Sequence, residues 1–137
     1  MNKHDELSGT LVLVNPQLLT DPEDRKNQVG VIASAELEDD NVMVSFGKSG
    51  QSLFSADALL VLRKPNDIHF DAVKDARHME TSDFKMILQV SLLANSPLVK
   101  DHRRAVEIAR DHPNVLEYSM ASLEAELGLR QDHSIGR

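Results

Sequence analysis

The spacing of apolar residues changes once along the chain, at Lys64-Pro65-Asn66. Before this point, short apolar runs alternate with stretches rich in Gly, Asn, Asp and Pro, which is typical of antiparallel strands. After it, apolar residues recur at the three- and four-residue spacing of amphipathic helices. A chain of 137 residues has room for one compact unit with two sub-structures. The sequence therefore predicts an α+β protein, with strands in residues 1–64 and helices in residues 65–137.

The first half contains five candidate strands. In the third, Val42, Val44 and Phe46 alternate with Met43 and Ser45, the two-residue period of a half-buried strand. We place the strands at Thr10–Val14, Val29–Ala35, Asn41–Phe46, Gln51–Ser55 and Leu59–Leu62.

The connections between these strands differ in length and chemistry. Residues 15–28 contain two prolines and a charged stretch, so we predict one long exposed loop. Residues 47–50 read Gly-Lys-Ser-Gly and predict a tight hairpin, because glycine tolerates positive φ. Residues 55–58 predict a single 3₁₀ turn before the last strand.

This order of strands and connections resembles the Src-homology-3-like small β-barrels, a group that includes Tudor and KOW modules. Besides the element order, the resemblance is carried by Val29-Gly30-Val31-Ile32 and by residues 54–59, and it covers residues 8–64. It implies a five-strand antiparallel barrel. In such barrels the long first loop and the neighbouring hairpins commonly form the ligand face. By that resemblance, the candidate interaction residues are Asp21, Glu23, Asp24, Arg25, Lys26 and Lys48.

The second half predicts a bundle of three to four helices packed on or beside the barrel. In the first helix Ile68, Val73 and Ala76, with Met79 as a further candidate, can share one face. The carboxylates of this helix, Asp71 and Asp75, are expected to face water together with Lys74. A second helix, capped by Thr81 or Ser82 and ending near Ala94, is apolar over most of its surface and should be the buried central one.

The third helix is predicted with Ser96 as its N-cap and Pro97 as its first residue, and it ends at His112-Pro113. We expect its packed face to contain Leu98, His102, Ala105, Val106 and Ala109. The basic residues Lys100, Arg103, Arg104 and Arg110 are interleaved with acidic ones, and we interpret them as a mixed, solvated face rather than an anion site.

A last helix is predicted from about Asn114 to Leu127, followed by a polar tail that frays from about residue 129. Its apolar residues Leu116, Met120, Leu123 and Leu127 are spaced four, three and four apart. This stripe can close the core of the bundle or form a homodimer interface, and we favour internal packing.

Composition restricts the classes of partner. The chain has 15 Lys and Arg against 22 Asp and Glu, a formal net charge of −7. This acidic balance disfavours nucleic acid and membrane surfaces. The absence of cysteine is compatible with a reducing compartment, and no signal peptide or spanning segment is evident, so we expect a cytoplasmic protein.

No motif in the chain predicts catalysis, a cofactor or a metal site. Gly47-Lys48-Ser49 lacks the upstream glycine of a phosphate-binding loop, since position 42 is valine. None of the six histidines lies four residues from another, as a helical zinc site requires. With four Phe, one Tyr and no Trp, an aromatic cage or a stacking platform for bases is also not supported.

Three functional hypotheses follow. The first is a non-enzymatic protein-interaction or regulatory module with no cofactor and another protein as partner. The second is a KOW-like module that contacts RNA or the transcription or translation machinery. The third is a small enzyme with a site between barrel and helices.

Overall fold

The computed structural model describes residues 7–18 and 24–127. The fold is α+β, with a six-stranded sheet whose paired strands run antiparallel. By its contacts the chain divides into two compact units. The sheet unit contains the described residues up to Val61 together with residues 122–127, and the helical unit contains Leu62–Ala121.

The strands lie close to their predicted positions. The sheet has the order β4-β3-β2-β1-β5-β6. A 3₁₀ turn at Ala56–Ala58 precedes β5, as predicted. The strands are β1 Leu11–Val14, β2 Val29–Glu36, β3 Asn41–Ser45, β4 Gln51–Phe54, β5 Leu59–Leu62 and β6 Met120–Ser122.

The prediction of a closed barrel is wrong, because the sheet is open. Strand β5 lies between β1 and the unpredicted strand β6, so β4 and β6 remain as the two edges of the sheet. The core of the sheet unit forms on the alternating positions of the strands, as a half-buried sheet requires. Its buried residues include Val12, Val14, Ile32, Val42, Val44, Leu59 and Leu123.

The helical unit consists of four α-helices, which are α1 Pro65–Lys74, α2 Thr81–Ala94, α3 Val99–Asp111 and α4 Pro113–Ser119. Helix α2 packs against the other three, so its predicted central position is confirmed. It is not buried over most of its surface as expected, because only Ile87, Val90 and Ser91 are buried and Leu92 is exposed. The core contains Ile68, Ala72, Ile87, Val90, Ala105, Ile108 and Val115.

The predicted faces of α1 are wrong in two respects. Ile68 and Ala72, four residues apart, form its buried face, whereas Val73 is 52% exposed. Asp71 and Asp75 are half-buried rather than turned fully to water, because each accepts a hydrogen bond from another part of the helical unit.

The predicted last helix is also wrong as a single element. Helix α4 ends at Ser119, the chain continues as β6, and a short helix α5 follows at Leu123–Glu126. Leu116 lies in α4, Met120 in β6, and Leu123 in the core of the sheet unit. The four-residue stripe is therefore not one helical face, and a dimer through a continuous last helix loses its structural basis. The predicted frayed tail lies outside the described residues.

Candidate functional site

The loop between β1 and β2 contains most of the residues proposed from the sequence. Asp21 and Glu23 lie outside the described residues. Asp24 and Lys26 are exposed, and the backbone of Asp24 has φ of 54°, the left-handed region. Arg25, between them, is half-buried.

Arg25 attaches this loop to the β3–β4 hairpin. Its Nη2 donates a hydrogen bond to the carbonyl oxygen of Ser49 at 2.6 Å, and its Nε donates to Oγ of Ser52 at 3.3 Å. The guanidinium carbon lies 4.5 Å from the ring centre of Phe46, a cation–π geometry. Arg25 therefore holds the loop in place rather than presenting a charge to a partner.

Lys48 lies in the 3₁₀ turn at Gly47–Ser49 and is exposed. The structure thus brings the described end of the loop and the hairpin together through Arg25. The exposed members of this surface carry charges of both signs, so they define no single ligand chemistry.

A second surface, which we name the α2–α3 corner, consists of Leu92, Leu98, Val99, Lys100 and Arg103. Three of its members are large apolar side chains that remain exposed: Leu92 by 73%, Leu98 by 50% and Val99 by 65%. Leu98 was expected on the packed face of α3, so that expectation is wrong. Clustered exposed apolar residues mark interaction sites more often than scattered ones do.

Local hydrogen bonds shape this corner. Only residues 95–98 separate α2 from α3, so the end of the first helix and the start of the second lie together. Oγ of Ser96 accepts the backbone N–H of Leu98 at 3.1 Å and donates to Asp101 at 2.6 Å. Nε2 of His102 donates to the carbonyl oxygen of Ser96 at 2.6 Å. Predicted as a helix cap, Ser96 instead orders the turn that presents Leu98.

The basic residues at the start of α3 form no ion pair within the described part of the chain. Arg110 pairs with Asp111 at 2.9 Å, which raises the pKa of Arg110 and lowers that of Asp111. Lys100, Arg103 and Arg104 are exposed and form no ion pair with any described residue. The first turns of α3 therefore present positive charge beside exposed apolar side chains.

A third feature is a cavity of about 510 Å³ within the helical unit. It is formed by the turn before α2, the first turns of α2 and one side of α4. The carboxylates of Glu80, Asp83 and Glu117 line it together with Arg77 and Tyr118. Its volume is within the range of small-molecule sites.

A polar network lies beside this cavity. Arg63 donates to Asp71 and to the carbonyl oxygen of Tyr118, both at 2.8 Å. The Tyr118 hydroxyl donates to Asp75, also at 2.8 Å. This hydrogen bond, followed by burial and the negative charge of Asp75, raises the pKa of Tyr118. The network ties α1 to α4 and orients the tyrosine ring at the cavity.

Substituting Asp75→Asn is expected to lower the pKa of Tyr118 toward the ordinary value of about 10. In the native protein, the folded chain holds the phenolic proton more tightly than the unfolded chain does. The associated stability is complete below about pH 10 and is lost as pH rises through the raised pKa. Because Tyr118 is the only tyrosine, absorbance titration measures it alone. An unchanged pKa in Asp75→Asn, or an equal shift in the exposed control Asp67→Asn, would contradict the assignment.

No family model, curated protein or solved structure matches the chain. Within the described residues, no group of three or more His, Cys, Asp or Glu side chains is arranged to hold a metal ion. No helix in the described ranges has the length and apolar character to cross a bilayer.

Sequence reasoning identified the loop and the hairpin of the sheet unit but missed the α2–α3 corner and the cavity of the helical unit. The basic residues of α3 were recognised, yet their position beside exposed Leu92 and Val99 depends on the α2–α3 packing. Tyr118 and Asp75 are 43 residues apart, and no local pattern joins them. A weak signal was available at Lys100, since a lysine in the first turn of a helix opposes the helix dipole.

Proposed function

We propose that this protein is a non-enzymatic protein-interaction module whose α2–α3 corner docks an acidic, apolar segment of another protein. The observation that carries the proposal is that Leu92, Leu98 and Val99 are exposed around the α2–α3 connection. Lys100 and Arg103 lie in the first turns of α3, and neither has an ion-pair partner among the described residues. Apolar side chains supply affinity at such surfaces, and the surrounding charges select the partner.

The charge of the corner favours a protein segment over other occupants. The chain as a whole carries −7, so long-range repulsion opposes a polyanion such as RNA or an anionic membrane. A short acidic segment meets mainly the local charges, because salt screens interactions beyond about 8–10 Å. Apolar side chains on the same segment would cover Leu92 and Val99.

Lys100 lies where a positive charge destabilises the helix, and this suits a binding role. It lies in the first turn of α3, where the positive end of the helix dipole disfavours a cation. An acidic partner would meet both the ammonium group and the N–H groups at this helix end. Selection for binding gives a reason for a lysine where stability alone favours an acid.

The substitution Lys100→Glu is expected to change stability and binding in opposite directions. It should raise the free energy of unfolding by about 0.3–1 kcal/mol, because an acid replaces a base at a helix N-terminus. It should at the same time weaken partner capture. Urea denaturation measures the first effect and capture from lysate the second. A variant that is both less stable and binding-competent contradicts the proposal.

The decisive comparison uses four immobilised proteins and a lysate of the native host, with and without nuclease treatment. The wild type and the matched charge reversal Lys48→Glu are expected to retain the same protein partner. The double variants Lys100→Glu/Arg103→Glu and Leu92→Ser/Val99→Ser are expected to lose it. The wild type should also retain less of this partner when salt is added, because salt screens the charges of the corner.

Other outcomes would overturn this assignment in distinct ways. Loss of the partner in Lys48→Glu alone would move the interface to the loop and hairpin of the sheet unit. Capture that disappears with nuclease would favour the RNA-binding hypothesis. Binding to anionic vesicles at physiological salt would favour a membrane surface.

A further inference from the structure

The oppositely charged side chains that line the cavity of the helical unit form no ion pair with one another. Arg77 lines it together with three carboxylates, yet Arg77 forms no ion pair with any described residue. The guanidinium nitrogens of Arg77 lie more than 4.0 Å from the carboxylate oxygens of Glu80, Asp83 and Glu117.

The three carboxylates that line the cavity differ in the hydrogen bonds that they already accept. Asp83 accepts a hydrogen bond from Nδ2 of Asn114 at 3.1 Å. Glu80 and Glu117 accept no hydrogen bond from a described side chain. The Tyr118 hydroxyl is directed to Asp75 instead. Two carboxylates and one guanidinium therefore have hydrogen-bonding capacity left for a ligand.

Beyond the docking function, we propose that this cavity binds a basic α-amino acid, either free or as the C-terminal residue of a peptide. The ligand carboxylate pairs with Arg77, since guanidinium and carboxylate match in a bidentate geometry. The cationic side chain of the ligand pairs with Glu80 and Glu117. Met79 also lines the cavity and can contact the aliphatic stem.

The charge balance of the lining selects a basic ligand. Three carboxylates against one guanidinium leave a formal charge of −2, taking His78 as neutral. Free lysine and arginine carry a carboxylate and two cationic groups, and as the C-terminal residue of a peptide they keep the carboxylate and the cationic side chain, so both forms complement this arrangement. A neutral amino acid leaves part of the negative charge unpaired, and an acidic one adds to it. The cavity volume of about 510 Å³ accommodates a molecule of this size.

Isothermal titration calorimetry on the full chain tests the ligand class. L-arginine or L-lysine is expected to bind with a Kd below about 1 mM. Citrulline, which keeps the shape of arginine but lacks its charge, should bind at least about tenfold more weakly, and glutamate should not bind. No heat from either basic amino acid, or equal binding of citrulline, would overturn the proposal.

Variants test the orientation of the ligand. Arg77→Gln should weaken arginine binding about tenfold and leave agmatine, which lacks the carboxylate, unchanged. Glu117→Gln should weaken both, and the control Glu126→Gln on α5 should change neither. Circular dichroism establishes that each variant is folded. Wild-type affinity in both Arg77→Gln and Glu117→Gln would place any binding elsewhere and overturn the site.

A further pair of probes distinguishes the two sources of the ligand. A short peptide that ends in arginine with a free carboxylate is compared with its amidated form and with free arginine. Tighter binding of the free-carboxylate peptide identifies a protein C-terminus, and tighter binding of the amino acid identifies a metabolite. Equal binding of the amidated peptide would contradict the role of Arg77. Because the α2–α3 corner is not used, Lys100→Glu should leave these affinities unchanged, so each proposal can fail separately.

Discussion

Substituting Ile68→Ala is expected to lower the free energy of unfolding of the helical unit by about 2–5 kcal/mol. Ile68 is fully buried on α1 and belongs to the core that α2, α3 and α4 share. Removing its side chain loses the transfer free energy of the deleted carbons and leaves a cavity that close-packed neighbours fill only partly. Urea denaturation followed by circular dichroism measures the change.

The matched control on the same helix is Val73→Ala. Because Val73 is 52% exposed, its truncation is expected to change the free energy of unfolding by no more than about 0.5 kcal/mol. This pair of variants also tests the corrected face of α1. Similar losses in both would mean that Val73 is packed, as the sequence pattern alone suggested.

Substituting Gly30→Ala is expected to destabilise the sheet unit by about 1–3 kcal/mol. An added Cβ would lie 2.5 Å from Cγ1 of Val44 and 2.9 Å from Cε1 of Phe46, both closer than real contacts allow. Val44 is fully buried and the Phe46 ring packs edge-on against Phe54, so neither can move without disturbing its neighbours. Thermal unfolding monitored by circular dichroism reports the loss.

A double-mutant cycle separates this clash from a general effect of glycine. Val44→Ala alone should cost about 2 kcal/mol, because it removes two buried methyl groups. Val44→Ala removes the 2.5 Å contact and leaves only the contacts with the Phe46 ring, so the two costs should sum to more than the double variant loses. The coupling should lie between about 0.5 and 3 kcal/mol. Strict additivity would show that the contact at 2.5 Å does not limit this position.

The strands could be predicted from sequence because their signals are local. The alternation of Val42 and Val44, the positive-φ glycines at 47 and 50, and the turn at Ala56–Ala58 each lie within a few residues of the element they define. The sequence could not show that the sheet is open, because closure depends on which strand pairs with the outer edge of β5. That strand, β6, has only three residues and carries no recognisable strand pattern.

The error at the last helix has the same origin. Leu116, Met120 and Leu123 have the spacing of a helical stripe, and this local signal favours a continuous helix. Pairing in the sheet and burial of Leu123 among the strands override it. Tertiary contacts therefore decide the structure of residues 120–122, and such contacts are not encoded in a short window.

The candidate site residues follow a similar rule. A charged loop was expected to be exposed, and Asp24 and Lys26 are. Arg25 is not, because its partners Ser49 and Ser52 are 24 and 27 residues further along the chain. Lys100, Arg103 and Arg104 were visible in the sequence, but the fact that they form no ion pair with a described residue is a property of side-chain packing. A pattern of residue types does not show which side chains contact each other, because contacts between residues distant in sequence depend on the fold.

The burial of Leu123 among the strands has a consequence for synthesis on the ribosome. All of β1 to β5 precede the helical unit in the sequence, yet the residue that completes their core follows it. Domains usually fold from the N-terminus as they emerge, but the core of this unit can be completed only after Leu62–Ala121 has been translated. During that interval the nascent strands expose apolar surface and an unfilled edge, which are the features that molecular chaperones bind.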